Sequence, residues 1–257
     1  QVLENCLVNN ATNLTLILGM AAIFGAAAAQ PKSKSKQKVK KAPDSQRINR
    51  LNLLFTLIAL FLFTGTLWAL AKDGELSFYD GLILVGLFIF WQILHVFEIL
   101  KDNIRKNKSF HWTIAIDLAL IAACAYFVYF AVDHLVQWVG SSKSPVFSFA
   151  KIGWFSGLLM VLPNAFLALY YSRIGRQDVV LSSQVGDGHI CIPMCIGLFS
   201  LFNPVHIPDS FQMGAYVILG AGAVHFLFIA LLGRIPRFVG GGLLGAYAFF
   251  LYDGLIK

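Results

Sequence analysis

Charged residues are scarce in this chain. Asp, Glu, Lys and Arg together make up 13% of its 257 residues, whereas a soluble globular domain carries about a quarter. Apolar residues reach 58%, with 23 Phe among them, and the mean hydropathy is +0.71. This composition excludes an ordinary soluble domain. It predicts a membrane protein with several spans, whose charges lie in the loops.

Cysteine is also rare, and its spacing excludes two further classes of protein. The four cysteines, Cys6, Cys124, Cys191 and Cys195, lie inside apolar segments, and the last two are four residues apart rather than in a CxxC pair. This pattern argues against a disulfide framework and against a zinc site. Buried structural thiols are therefore expected.

Signatures of catalysis are missing as well. The sequence contains no HExxH motif, no GxSxG motif and no pair of acids placed for acid–base catalysis. We therefore expect neither an enzyme nor a resident cofactor.

The positive charge of the chain is concentrated in one segment. The formal net charge is +7, and residues 32–50 hold eight bases against one acid, which accounts for the whole excess. The net positive charge therefore comes from one loop, and it is no evidence for nucleic-acid binding. A basic segment beside a membrane span is typical of a cytoplasmic loop. A contact with anionic lipid headgroups is the second interpretation.

Eight apolar runs approach the length that crosses a bilayer, about 20 residues in a helix. They predict an all-α, polytopic bundle of transmembrane helices surrounded by lipid. If segment 30–50 is cytoplasmic, alternation puts 16 of the 20 bases on that side and both chain ends, including the C-terminus, outside. The runs cover residues 6–29, 51–71, 78–100, 111–138, 150–172, 188–203, 211–232 and 236–256.

Polar side chains inside spans are costly, so they indicate function by default. The first cluster lies in the first run and contains Asn9, Asn10, Thr12 and Asn13. Asn9 and Asn13 are four residues apart and share one helix face. Hydrogen bonding between helices, without any ligand, is the simpler alternative.

The second polar cluster is Gly186-Asp187-Gly188-His189, which leads into the sixth run. Glycines on both sides of a carboxylate predict a close backbone approach, or a helix broken near the membrane centre as in transporters. Asp187 and Cys191 repeat the spacing of four, and Asn164 follows a proline that would kink the fifth run. A helix cap at 186–189 and a packed kink at Asn164 are the alternatives.

These motifs resemble the two α-repeats of the calcium/cation antiporter superfamily, which includes the sodium/calcium exchangers. The second repeat is matched by Leu162-Pro163-Asn164, a short basic turn and Gly186-Asp187-Gly188-His189-Ile190-Cys191, with Gly197 six residues further on. One helix of the first repeat is matched by Val8-Asn9-Asn10-Ala11-Thr12-Asn13, with Gly19 six residues further on. The segments Phe78–Leu84 and Arg237–Leu244 are similar to the openings of the last helix in each half.

The resemblance implies an inverted repeat of ten helices in a complete protein, of which this chain would lack the first two. Residues 1–29 would be the second helix of the first α-repeat, and 30–50 the basic cytoplasmic linker. Residues 51–138 would form transmembrane helices and 150–203 the second α-repeat. Residues 211–257 would be the last two transmembrane helices.

The matched positions depart from the family's ion site. Asn164 stands where the family has a carboxylate, Cys191 replaces its last polar residue, and Asp187 puts an acid at a serine position. A Ca²⁺ ion prefers six to eight oxygen ligands with several carboxylates, and the second half offers one. High-affinity Ca²⁺ binding by the family's usual ligands is therefore not expected.

By resemblance, we predict cation antiport by alternating access, with Ca²⁺, Na⁺ or H⁺ as transported ions. The ion-binding residues would be Asn9, Asn13, Asn164 and Asp187, and the coupling or supporting residues Asn10, Thr12, His189 and Cys191. Asp187 beside His189, an imidazole that titrates near neutral pH, suits proton coupling better than pure sodium coupling. The alternative is a transport-inactive antiporter fold, kept as a structural subunit of a larger membrane complex with other membrane subunits as partners.

Overall fold

The computed structural model describes residues 1–28, 43–106, 112–141 and 151–256, and this part of the chain is almost entirely helical. Helix is expected in lipid, because its backbone groups pair within the segment. The helices are α1 (Val2–Thr12), α2 (Leu18–Ala28), α3 (Pro43–Leu70), α4 (Phe78–Lys106), α5 (Thr113–Ser141), α6 (Ile152–Arg173), α7 (Gln177–Ile190), α8 (Gly197–Phe202), α9 (Phe211–Leu232) and α10 (Arg237–Leu251).

Within the described residues, three π-helical turns depart from regular α-helix. The turn Asn13–Ile17 joins α1 to α2, the turn Cys191–Ile196 joins α7 to α8, and Tyr252–Ile256 follows α10. The first two make α1–α2 and α7–α8 continuous helices with one irregular turn each. Such turns occur frequently at functional sites, because they change the direction of side chains within a helix.

Eight helical segments of the described chain are long and apolar enough to cross a membrane, which confirms the predicted number of spans. The predicted boundaries differ most at two of them. The sixth span begins at Gln177 rather than 188, and α3 begins at Pro43, so the end of the predicted linker 30–50 is helical. Polar residues near the end of a membrane-spanning helix can remain helical in the headgroup region. Hydropathy alone therefore places the first residue of these two helices too far along the sequence. The rest of that linker, 30–42, lies outside the described residues.

The glycine-flanked carboxylate does not break its helix. Helix α7 runs without interruption through Gly186, Asp187 and Gly188, so both the predicted broken helix and the alternative cap at 186–189 were wrong. None of these glycines has a positive φ. Gly188 instead provides room, because a Cβ there would lie 2.7 Å from Leu60 Cδ1. The predicted close approach is therefore present, without unwinding.

The chain divides into two compact units. One contains Gln1 and Ile89–Ile152, in which all described side chains of α5 are exposed, as suits apolar residues that face lipid. The other contains Val2–Phe88 and Gly153–Lys257. In this larger unit α3 packs against α7 and α9, α1 packs against α9, and α2 packs against α10. All the polar residues discussed below belong to it.

Two glycine contacts relate the halves of the larger unit. A Cβ on Gly240 would lie 2.6 Å from the carbonyl oxygen of Gly19, and a Cβ on Gly81 would lie 2.8 Å from that of Gly197. Each contact joins a helix that carries a polar motif to the helix that closes the opposite half. This reciprocal arrangement is what an inverted repeat produces.

A short antiparallel ladder ties two loops together. The strand β1 (Glu75–Leu76) follows α3 and pairs with β2 (Val205–His206), which follows α8. Glu75 lies opposite His206, and Oε2 of Glu75 is 3.3 Å from Nδ1 of His206. The loops at this end of the two halves are therefore fixed to each other.

Candidate functional site

Asp187 lies where three spans meet. Its Oδ2 accepts a hydrogen bond from Nδ2 of Asn13 at 2.9 Å and another from Nδ2 of Asn164. The three residues come from the first span, from α6 and from α7, and they are far apart in sequence. Asp187 is partly buried. The structure therefore brings together the residues that the two polar motifs single out.

Asn9 completes this network from one turn below Asn13. The same Nδ2 group of Asn13 also donates to Oδ1 of Asn9 at 2.9 Å, as their spacing of four allows. Asn13 is fully buried, and its Oδ1 has no hydrogen-bond partner among the described residues. A buried amide oxygen without a donor is uncommon and calls for an explanation.

The π-helical turns place two of the predicted positions. Asn13 is the first residue of one turn, and Cys191 is the first residue of the other. Sequence spacing predicted the equivalence of these two positions but not the turns, because a π insertion leaves no periodic signal. Cys191 is partly buried, and all four cysteines are free.

Asn10 lies against α7 next to Asp187, in the space that Gly188 leaves. Its Nδ2 donates to the carbonyl oxygen of Cys6 at 2.7 Å, which directs the amide oxygen away from its own helix. That oxygen would be 2.8 Å from a Cβ on Gly188, and it too lacks a hydrogen-bond partner among the described residues. Asn10 is fully buried, so its amide oxygen is also out of contact with bulk solvent.

Gln184 is a residue of this region that the sequence analysis did not identify. It lies three residues before Asp187 on α7, is 1% exposed, and its Oε1 has no partner among the described residues. A glutamine one turn from a membrane-embedded carboxylate was the available signal. It was overlooked because Gln184 lies outside the glycine-flanked motif 186–189 that identified Asp187 as a candidate.

Of the predicted supporting residues, His189 bonds to a neighbouring helix and Thr12 is buried within its own span. Nε2 of His189 lies 2.8 Å from the carbonyl oxygen of Thr56, so the ring donates to α3. The same ring packs edge-on against Phe63, with a centroid distance of 5.4 Å. Thr12 is buried at the end of α1. His189 is thus anchored on a neighbouring helix as well as adjacent to Asp187 in sequence.

The site is rich in amides rather than carboxylates. Within the described ranges, no three His, Cys, Asp or Glu side chains are placed to hold a metal ion together. What the structure offers instead is one carboxylate surrounded by amide groups, two of which donate to it. Such a set can hold a cation if amide or backbone carbonyl oxygens complete the coordination.

Comparison with known proteins identifies a family and a fold. The family model described as "Sodium/calcium exchanger protein" matches residues 2–97 and 108–252. No curated protein matches the chain significantly.

Solved structures of the sodium-calcium exchanger NCX_Mj share the fold. The form soaked with 2.5 mM Na⁺ and 10 mM Sr²⁺ is 21% identical with a TM-score of 0.59, and covers 99% of this chain and 76% of its own. The form soaked with zero Na⁺ and Ca²⁺ is 20% identical with a TM-score of 0.61, and covers 98% and 76%. At this identity the likeness concerns the fold alone.

Proposed function

Because the chain belongs to the sodium/calcium exchanger family, we propose that it exchanges small cations across a membrane by alternating access. The chain is an integral, multi-pass membrane protein of a transporter family, and the finer assignment of its ions rests on the site. The proposed ligands are Asp187, Asn9, Asn13 and Asn164, with Asn10, Thr12, His189 and Cys191 in supporting positions. Gln184 joins the ligands as an amide oxygen.

One observation carries this proposal. Amide groups from two other spans converge on a single carboxylate oxygen of Asp187. Convergent polar groups at the meeting point of several spans are costly in a membrane, and they mark ion pathways more often than structural contacts. The amide oxygens of Asn10, Asn13 and Gln184 have no donor among the described residues, and such oxygens are suitable ligands for a cation.

The proposed exchange depends on which groups compensate the negative charge of the Asp187 carboxylate. In this structure the amide N–H groups of Asn13 and Asn164 stabilise its negative charge. A cation that binds Asp187 takes over that task, and rotation of the amides presents their oxygens to the ion. A proton on Asp187 would compensate the charge as well, so protons and cations compete for one group. This competition is the coupling step that we propose.

The choice of ion follows from charge. NCX_Mj, by the descriptions of its structures, is a sodium-calcium exchanger studied with Na⁺, Ca²⁺ and Sr²⁺. Here one carboxylate in the described site neutralises one positive charge. We therefore propose Na⁺ or H⁺ as the tightly bound partner and Ca²⁺ as the weaker one.

The direction of insertion is part of the proposal. Bases concentrate in the loops on the side of residues 30–50, so this side is assigned to the cytoplasm and the C-terminus to the outer side. A cysteine introduced at Asp73 should react with a membrane-impermeant maleimide in intact cells, and one at Arg234 should not, relative to the parent chain. The reverse labelling would overturn the orientation.

Flux into proteoliposomes tests the proposed function. Asp187→Asn keeps the shape and can still bond the two amides, so the protein should fold, but it removes the charge. Leaving a cation uncompensated in the membrane costs at least about 3 kcal/mol, or roughly a hundredfold in affinity. Cation-driven and proton-driven flux should therefore be lost. Asp209→Asn, in an exposed loop, is the matched control and should retain flux.

Two outcomes would contradict the proposal in different ways. Intact flux in Asp187→Asn would remove this residue from the site. Absence of Na⁺, Ca²⁺, K⁺ and H⁺ flux in the unmutated chain would instead favour the structural-subunit alternative.

A further inference from the structure

His225 is a buried histidine on α9 that the proposed site does not use. It is fully buried, and its Nε2 lies 2.8 Å from the carbonyl oxygen of Leu14. Because a carbonyl only accepts, Nε2 carries the proton and donates. His225 is not among the site residues predicted from the sequence.

Leu14 lies inside the π-helical turn Asn13–Ile17, and the turn removes its usual donor. In an α-helix the N–H of Leu18 would bond the carbonyl of Leu14, four residues earlier. Here that N–H donates to the carbonyls of Asn13 and Thr15. His225 therefore provides a side-chain donor at a carbonyl that the irregular turn has lost from the α ladder.

The turn Asn13–Ile17 sets the angle by which α2 is rotated about the helix axis relative to α1. One inserted residue changes the angular phase by about 100°. With the turn in place, Asn13 faces Asp187 while Gly19, a few residues later, faces Gly240 on α10. Without it, the two contacts would not both be in register.

We infer that His225 is a positioning residue: it holds the turn Asn13–Ile17 in its π form through the Leu14 carbonyl, and so aims Asn13 at Asp187. Its importance for transport rests on the proposed function. Its effect on Asn13 does not, since that can be measured without transport.

The test separates the donor from the shape of the side chain. His225→Leu removes the donor, whereas His225→Gln keeps an N–H at a similar distance from the backbone. Losing a buried hydrogen bond should raise the apparent KM for Na⁺ about fivefold or more in His225→Leu, with a smaller change in maximal rate. His225→Gln should stay within about twofold of the unmutated chain.

Solid-state NMR in liposomes supplies the readout that does not depend on transport. With ¹⁵N-His and ¹³C-carbonyl Leu labels, a coupling between His225 and Leu14 is expected. With ¹⁵N-Asn, the side-chain resonance of Asn13, assigned by its loss in Asn13→Ala, should shift in His225→Leu and be retained in His225→Gln.

The outcomes distinguish this inference from the proposed function. No coupling to Leu14, an unmoved Asn13 resonance in His225→Leu, or equal defects in both variants would overturn the inference, whether or not the chain transports. Absence of flux in the unmutated chain, with the NMR result as expected, would overturn the proposed function alone. If His225→Leu does not fold, the coupling in the unmutated chain and the Asn13 resonance of His225→Gln decide.

Discussion

Gly188→Ala should damage the site, although it adds a single methyl group to a helix. The new Cβ would lie 2.7 Å from Leu60 Cδ1 and 2.8 Å from Asn10 Oδ1. Leu60 and Asn10 are both fully buried, and Asn10 is held by its bond to the Cys6 carbonyl. Neither neighbour can move without disturbing its own contacts, so the helices or the Asn10 amide must shift.

The expected magnitude follows from two opposing effects. Overpacking a buried contact costs about 1–3 kcal/mol, while replacing glycine by alanine inside a helix gains about 1 kcal/mol. The net loss is then as large as about 2 kcal/mol, or up to about thirtyfold in an equilibrium constant. Part of it should appear as weaker cation binding if Asn10 supports the proposed site.

Gly186→Ala is the matched control on the same helix. A Cβ on Gly186 meets no atom within 4 Å, so only the gain in helix propensity applies. Thermal unfolding in detergent should show a lower Tm for Gly188→Ala and an equal or higher Tm for Gly186→Ala. Proteoliposome flux should show a raised KM for the first variant alone. Equal behaviour of the two variants would refute the reasoning.

Two further predictions concern the amides of the site. Gln184→Leu should maintain or raise the Tm, because it removes a buried oxygen without a partner, yet it should weaken cation binding; a lower Tm with unchanged KM would show a purely structural role. Asn164→Asp adds a second carboxylate beside Asp187, so the ratio of Ca²⁺ to Na⁺ affinity should rise in competition assays, and an unchanged ratio would exclude Asn164 from the ligands.

Much of the fold could be predicted because a lipid environment imposes one simple requirement on the sequence of each span. A span needs a sustained apolar run, and all eight runs correspond to helices of the described chain. The boundaries at Pro43 and Gln177 were missed because hydropathy measures where lipid begins, and a helix does not have to end there. Charged and amide residues continue both helices beyond the apolar run.

The site was predictable only where its residues obey a local spacing. Asn9, Asn13 and Asp187 were found because polar groups four residues apart share a helix face, and Asn164 because it follows a proline. The bond from His225 to Leu14 joins residues 211 positions apart and depends on a π-helical turn. No periodicity in one sequence reports such a turn, so His225 was not among the site residues predicted from the sequence.

The charges around Asp187 suggest a reason why one carboxylate could be enough for a cation exchanger. A site with several acids binds a divalent ion tightly but must also release it on the other side of the membrane. Here Asn13 and Asn164 already compensate the one carboxylate through N–H groups, so an ion gains only the difference between its own attraction and theirs. For a proton and for every cation, that difference is smaller than the gain at a carboxylate without N–H donors would be. A weakly biased competition of this kind favours turnover over retention, which is the property that exchange requires.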